Sequence, residues 1–171
     1  MKKGFTLVEL LVVLVILLVL VGITVPVYTR ITERGRATAC VSNLRQLGIA
    51  LNLYLNDNNQ TMPPLAAGRT SMSQDVPVID NTLNAYAANP AVFACPSDFS
   101  GIASATGTSY YWNSALSGQR VANLNFLAIA DATRIPVLGD KQAFHPYAQN
   151  KVNILYADGH ATQDLKFFTS Q

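Results

Sequence analysis

Charge, cysteine and histidine are all scarce in this chain of 171 residues: Asp, Glu, Lys and Arg make up 13%, and there are two cysteines and two histidines. A formal net charge of +2 provides no basic face of the kind that nucleic acid or an anionic membrane surface requires. Cys40 and Cys95 stand far apart in sequence and His145 and His160 lie elsewhere, so no zinc-binding spacing is present and no zinc site is expected. A glycine-rich phosphate loop and a Gly-x-Ser-x-Gly turn are both missing. No spacing of Ser, His and Asp selects a catalytic triad, and enzymatic activity is not expected. The run at residues 56–60, Asn-Asp-Asn-Asn-Gln, lacks the later glycine and glutamate of an EF-hand loop.

What the chain does have is a long apolar run. After Lys2, Lys3 and Gly4, residues 5–28 carry one charge, Glu9, and the next is Arg30. About 20 apolar residues in a helix cross a hydrocarbon core of roughly 30 Å, so the run is long enough to span a membrane. It exceeds the roughly 7–15 apolar residues of a cleaved secretory signal, and residues 25–30 offer no small-x-small cut site. An acid within a membrane segment is disfavoured by about 3 kcal/mol on insertion scales and so tends to mark function. Glu9 also lies near enough to the start to reach the headgroups, and the residues alone leave both readings open. Pro26 lacks a backbone donor and crowds the preceding turn, which predicts a kink or local unwinding over Gly22 to Pro26.

The order Lys2-Lys3-Gly4-Phe5-Thr6-Leu7-Val8-Glu9, followed by an apolar helix, closely resembles the class III leader of type IV pilins and type II secretion pseudopilins. The resemblance implies cleavage between Gly4 and Phe5 by a membrane prepilin peptidase, N-methylation of Phe5 and a role in assembly for Glu9. Pro26 matches a proline that many such helices carry. Cleavage exposes an α-amine on Phe5, with a reference pKa near 8, and Glu9 is the only acid nearby. Charge pairing between neighbouring subunits in a low dielectric can then set filament register. Loss of Lys2 and Lys3 takes the basic side chains from 12 to 10, equal to the 10 acids.

The implied partners are copies of the chain itself in a homopolymeric filament, other pilins or pseudopilins, an inner-membrane assembly platform and the lipid bilayer. Nucleic acid is not expected among them. The implied location is the inner membrane, crossed once, with the head outside the cytoplasm. The expected function is that of a structural filament subunit, a pseudopilin of a type II secretion system or a type IV pilin-like protein. The alternative is a minor pilin or membrane-anchored binding module that contacts DNA, a surface or a secreted substrate. Residues 39–48, 92–98 and 109–113 further resemble a large pseudopilin-like family whose C-terminal signature is His, nine residues, Asp-Gly. Here His145 is separated from Asp158-Gly159 by twelve residues, a departure from that signature.

The expected fold is α+β: one long N-terminal helix over about residues 6–56, whose second half packs on a C-terminal antiparallel sheet. The chain divides into a leader (1–4), a transmembrane and assembly helix (5–28), an amphipathic second half (29–57) and a globular head (58–171). Ile31, Cys40, Val41, Leu44, Leu47, Leu51, Tyr54 and Leu55 recur at helical steps and form the stripe expected to bury. Arg30, Glu33, Arg34, Arg36 and Arg45 fall largely off it, and the arginines nearest the span read as a solvated collar. Asp80 is expected to cap a short helix through Leu83, Tyr86 and Ala87. Residues 135–140 and 152–157 read as strands, and Asp158-Gly159 as a type I′ hairpin turn.

With the head exported, as the leader resemblance implies, Cys40 on the buried stripe and Cys95 in an apolar segment before Pro96 are expected to form a disulfide. The alternative is two buried free thiols that fill core space. Resemblance to the major pseudopilins also makes calcium the one cofactor to consider, with Asp131, Asp140 and Asp158 as ligands in the C-terminal half. Single aspartates beside small residues equally serve as turn residues.

Overall fold

A computed structural model of the chain describes residues 6–146 and 151–163. Its main element is a helix, α1 (Leu7–Asp57), of 51 residues, about 77 Å long at 1.5 Å per residue. The helix stops where the Asn run begins to bond backward. Asn58 Nδ2 donates to Tyr54 O at 2.8 Å, and Asn59 and Gln60 take left-handed backbone angles, φ 53° and 54°.

The disturbance expected at Gly22 and Pro26 does not break the helix, which continues through both residues. The carbonyl that the Pro26 ring crowds is that of Gly22, four residues earlier. A Cβ added at Gly22 would meet nothing within 4 Å. Thr24 Oγ1 donates to Leu20 O at 2.6 Å and Thr29 Oγ1 to Pro26 O at 3.0 Å, tying side chains onto the turns on either side.

The second half of α1 buries Cys40, Val41, Leu44, Leu47, Leu51 and Leu55, as the periodicity predicts. Two positions differ from expectation. Ile31 is exposed, with the apolar first half, and Glu33, expected off the stripe, is only 6% exposed. Glu33 lies seven residues before Cys40, two helical turns, and therefore shares its face.

The head is built on a four-stranded antiparallel sheet in the order β1 (Tyr110–Trp112), β2 (Pro136–Asp140), β3 (Ile154–Tyr156), β4 (Ala161–Thr162). Alternation decides the faces of β1: Tyr110 and Trp112 are buried and Tyr111 is exposed. Pro136 opens β2, where a missing backbone donor is tolerated. The register pairs Tyr110 with Asp140, Gly139 with Ile154 and Leu155 with Ala161.

The turn after β3 is not type I′. Among the residues connecting β3 to His160, Gly159 alone has positive φ, 89°, and Tyr156 N donates to His160 O at 2.9 Å. This is a three-residue connection closed by a left-handed glycine, the next commonest hairpin solution.

Helix and sheet pack closely at Gly48, where an added Cβ would lie 3.1 Å from Leu155 Cδ1. Short helices α2 (Ile79–Thr82) and α3 (Ile102–Thr106) and several 3-10 turns cover the remaining edges. Asp80 sits inside α2 rather than capping it, and its carboxylate pairs with Arg69. The core is one cluster joining the α1 stripe to Leu83, Phe93, Ile135, Leu138 and Leu155.

Candidate functional site

Two groups of residues carry chemistry, one at the N-terminus of α1 and one where the second half of α1 packs into the head. At the N-terminus, Thr6 caps the helix and Glu9 answers it. Glu9 N donates to Thr6 Oγ1 at 3.3 Å, while Glu9 Oε2 accepts from Thr6 N at 2.8 Å and Thr6 Oγ1 at 2.7 Å. This capping box satisfies donors that the helix start leaves free and sets a carboxylate at the positive end of the helix dipole. Glu9 is therefore locally bonded rather than a bare charge in an apolar run. Gly4 and Phe5, the expected cleavage and methylation positions, lie outside the described residues.

From Leu7 to Tyr28 no large apolar side chain is less than 47% exposed. The head covers none of this surface, and by length and composition the helix can cross a membrane. Beyond it, Arg30 and Arg34 are exposed, as a collar would be. Arg36 instead lies over the Phe99 ring, 4.9 Å from its centroid, and pairs with Glu33 at 3.5 Å.

The second group is buried in the head. Cys40 comes from α1, Cys95 from the loop after the Pro90–Phe93 turn, Asp140 from the end of β2 and His145 from the loop beyond it. All four are at most 9% exposed, and their donor atoms lie within 4.8 Å of one another. Cys40 Sγ is 3.5 Å from Asp140 Oδ1 and 3.2 Å from the Tyr110 hydroxyl; Cys95 Sγ is 3.5 Å from His145 Nε2. His145 Nε2 is 3.4 Å from Asp140 Oδ2, and its Nδ1 faces Glu33 Oε1 at 3.3 Å. Glu33 Oε1 also accepts from Ser97 Oγ at 2.6 Å. Asn153 donates to Asp140 Oδ2 through its backbone N at 2.7 Å and through Nδ2 at 3.0 Å, and Nδ2 lies 2.7 Å from His145 Nε2.

The disulfide expected between Cys40 and Cys95 is not formed: both are free thiols. The two residues do converge, as the packing argument requires, but they share their pocket with a carboxylate and an imidazole. The expectation that cysteines and histidines lie apart is likewise corrected for His145, because sequence separation says nothing about a pocket assembled from a helix, two loops and a strand end. Burial lowers the His145 pKa, yet the hydrogen bond to Asp140, then the hydrogen bond to Cys40 and the charge interactions with both, outweigh it and hold it up to about 10. The Cys40 thiol is pushed up by its contact with Cys95 and by burial.

Of the three aspartates considered for calcium, only Asp140 joins a cluster of donor groups among the described residues. Asp131 is exposed and accepts from Thr133 N and Oγ1, a turn-capping role. Asp158 pairs with the neighbouring His160, whose ring stacks on Tyr156 at the surface. Glu33, Asn153, Ser97 and Tyr110 were not singled out by the sequence. The one available signal was the helical step from Glu33 through Ala37 to Cys40.

Residues 1–25 match the family described as the prokaryotic N-terminal methylation motif. No curated protein and no solved structure matches the chain. The match covers the N-terminal segment; the C-terminal His and Asp-Gly signature has no counterpart in it. The motif, carried on an apolar helix that leads into a small α+β head, supports a type IV pilin-like or pseudopilin-like protein.

Proposed function

We propose that the protein is a structural subunit of an extracytoplasmic filament, a type II secretion pseudopilin or a type IV pilin-like protein. In this reading the chain inserts in the inner membrane with its head outside the cytoplasm. Prepilin peptidase then cuts it after Gly4 and Phe5 is N-methylated, and an assembly platform adds it to a polymer held together by the first half of α1. The observation that carries the reading is the methylation motif on a helix half whose apolar side chains have no cover within the chain. Roughly 25 cal/mol per Å² opposes leaving such surface in water, so lipid must cover it before assembly and neighbouring subunits after it. Pilins carrying this motif are structural proteins, and the reading assigns no catalysis.

Intact-mass measurement of the protein recovered from membranes tests the processing step. The expected mass lacks residues 1–4 and carries one added methyl group. A retained leader, or a cut near Ala37 or Ala39, overturns it.

A further inference from the structure

We propose that Cys40, Cys95, Asp140 and His145 form a closed, structural Zn²⁺ site in the head, with Glu33 as the residue that positions the histidine.

The donor set is the first argument. Two thiols, an imidazole and a carboxylate are the ligands that a borderline-soft d¹⁰ ion takes in tetrahedral sites, whereas calcium and magnesium take oxygen alone. Geometry is the second. A tetrahedron with metal–ligand bonds of roughly 2.0–2.3 Å has edges of about 3.3–3.8 Å. Two separations that meet at His145 Nε2, to Cys95 Sγ and to Asp140 Oδ2, are 3.5 and 3.4 Å, while Cys40 Sγ lies 3.5 Å from the other carboxylate oxygen of Asp140, Oδ1. The widest separation within the group is no more than 4.8 Å, so side-chain adjustments of about 1 Å close the set on one ion.

The surroundings are the third argument. Metal-bound histidines usually give their other ring nitrogen to a carboxylate, which fixes the tautomer and the ring plane. Glu33 occupies that place on Nδ1, held by Ser97 and Arg36, and so turns Nε2 toward Cys95 and Asp140, where Asn153 Nδ2, now 2.7 Å from it, would give way to the ion. Asn153 holds Asp140 by two donors, while its own Oδ1 is buried without a partner. This second polar layer holds both the imidazole and the carboxylate in place, and it leaves one polar atom, Asn153 Oδ1, buried and unpaired, which costs stability in an apolar core.

Binding balances simply. Zn²⁺ replaces the protons of the two thiols, and the Nε2 proton where the ring carries one; these protons leave to solvent while Nδ1 keeps its own. The ligands come from positions 40, 95, 140 and 145, so one ion ties α1 to both loops and to β2. Bound as thiolates to the metal, the two cysteines are also shielded from pairing with each other.

The test uses the full-length protein purified in detergent under reducing conditions, with Zn²⁺ and Co²⁺ as the probes. The expected result is one Zn²⁺ per chain and, with Co²⁺, the thiolate charge-transfer band and intense visible bands of a tetrahedral ion. Chelation should lower Tm, with Zn²⁺ restoring it and Ca²⁺ failing to do so. Cys40→Ser and His145→Gln should lose the metal, while His160→Gln at the surface keeps it. Glu33→Gln should weaken Zn²⁺ binding about 10- to 100-fold with the cobalt bands retained, as a positioning role requires. No metal and no cobalt bands in the folded wild-type protein would overturn the site, whatever the variants do. A disulfide between Cys40 and Cys95 in protein isolated from its membrane without added reductant would overturn it as well.

Discussion

Asp98 shows how one carboxylate holds several segments of the head together. Its Oδ1 accepts from Ile102 N and Ser100 Oγ, and its Oδ2 from Ala103 N and Ser109 Oγ. It thereby anchors the start of α3 and the approach to β1. Burial raises its pKa, but the hydrogen bonds from Ala103, Ser109, Ile102 and Ser100 together prevail and leave it below the ordinary value of 3.8. A depressed carboxylate stabilises the fold above its unfolded-chain pKa, and that stability is lost as pH falls through the folded-state value. Asp98→Asn replaces one of the two acceptor oxygens with a donor and removes the charge, and is therefore expected to cost about 1–3 kcal/mol at neutral pH. The gap to wild type should shrink as the pH drops below about 4. Chemical denaturation of the detergent-solubilised protein at several pH values checks this, and a gap independent of pH would remove the charge from the argument.

At the scale of elements, the close approach of α1 to β3 rests on Gly48 having no side chain. Gly48→Val places two methyl groups where Leu155 already stands at 3.1 Å from a Cβ, and overpacking of this kind costs about 1–3 kcal/mol. A lowered Tm with unchanged helix content is the expected outcome; an unchanged Tm would mean that Leu155 yields freely. Most of this packing could be read in advance, because Cys40, Leu44, Leu47 and Leu51 are spaced as a helix face and burial follows period. The β3 turn was legible as a turn but not by type, since Asp-Gly serves both two-residue and three-residue hairpins and register decides between them. The buried cluster was not legible as a site. Cys40, Cys95, Asp140 and His145 carry no mutual spacing signal, and only the tertiary fold puts them in one pocket. Glu33 was read as surface because charge outweighed position in the helical pattern.

At the scale of the whole molecule, the proposed filament would have to change what Glu9 does. Its carboxylate already accepts from Thr6 N and Thr6 Oγ1 within its own chain. A contact that recruits it to a neighbour's α-amine must therefore displace or share those bonds. Glu9→Ala removes the capping box and would remove the proposed intersubunit charge, and it is expected to leave cleavage after Gly4 intact while lowering filament yield. Electron microscopy of sheared filaments beside the membrane-bound pool measures this, and a normal yield would take Glu9 out of the assembly mechanism.

Because α1 runs unbroken from the capping box into the core of the head, the direction in which the head faces is a matter of phase. Each residue advances a helix by about 100° and 1.5 Å. One residue inserted after Tyr28 would turn the head roughly a quarter of the way round relative to the apolar half, with hardly any change in reach. Seven residues would lengthen the stalk by about 10 Å yet return the head to within about 20° of its starting azimuth. In the proposed filament, the number of residues between the apolar half and Glu33 would thus work as a dial, setting which face of the head a subunit presents outward.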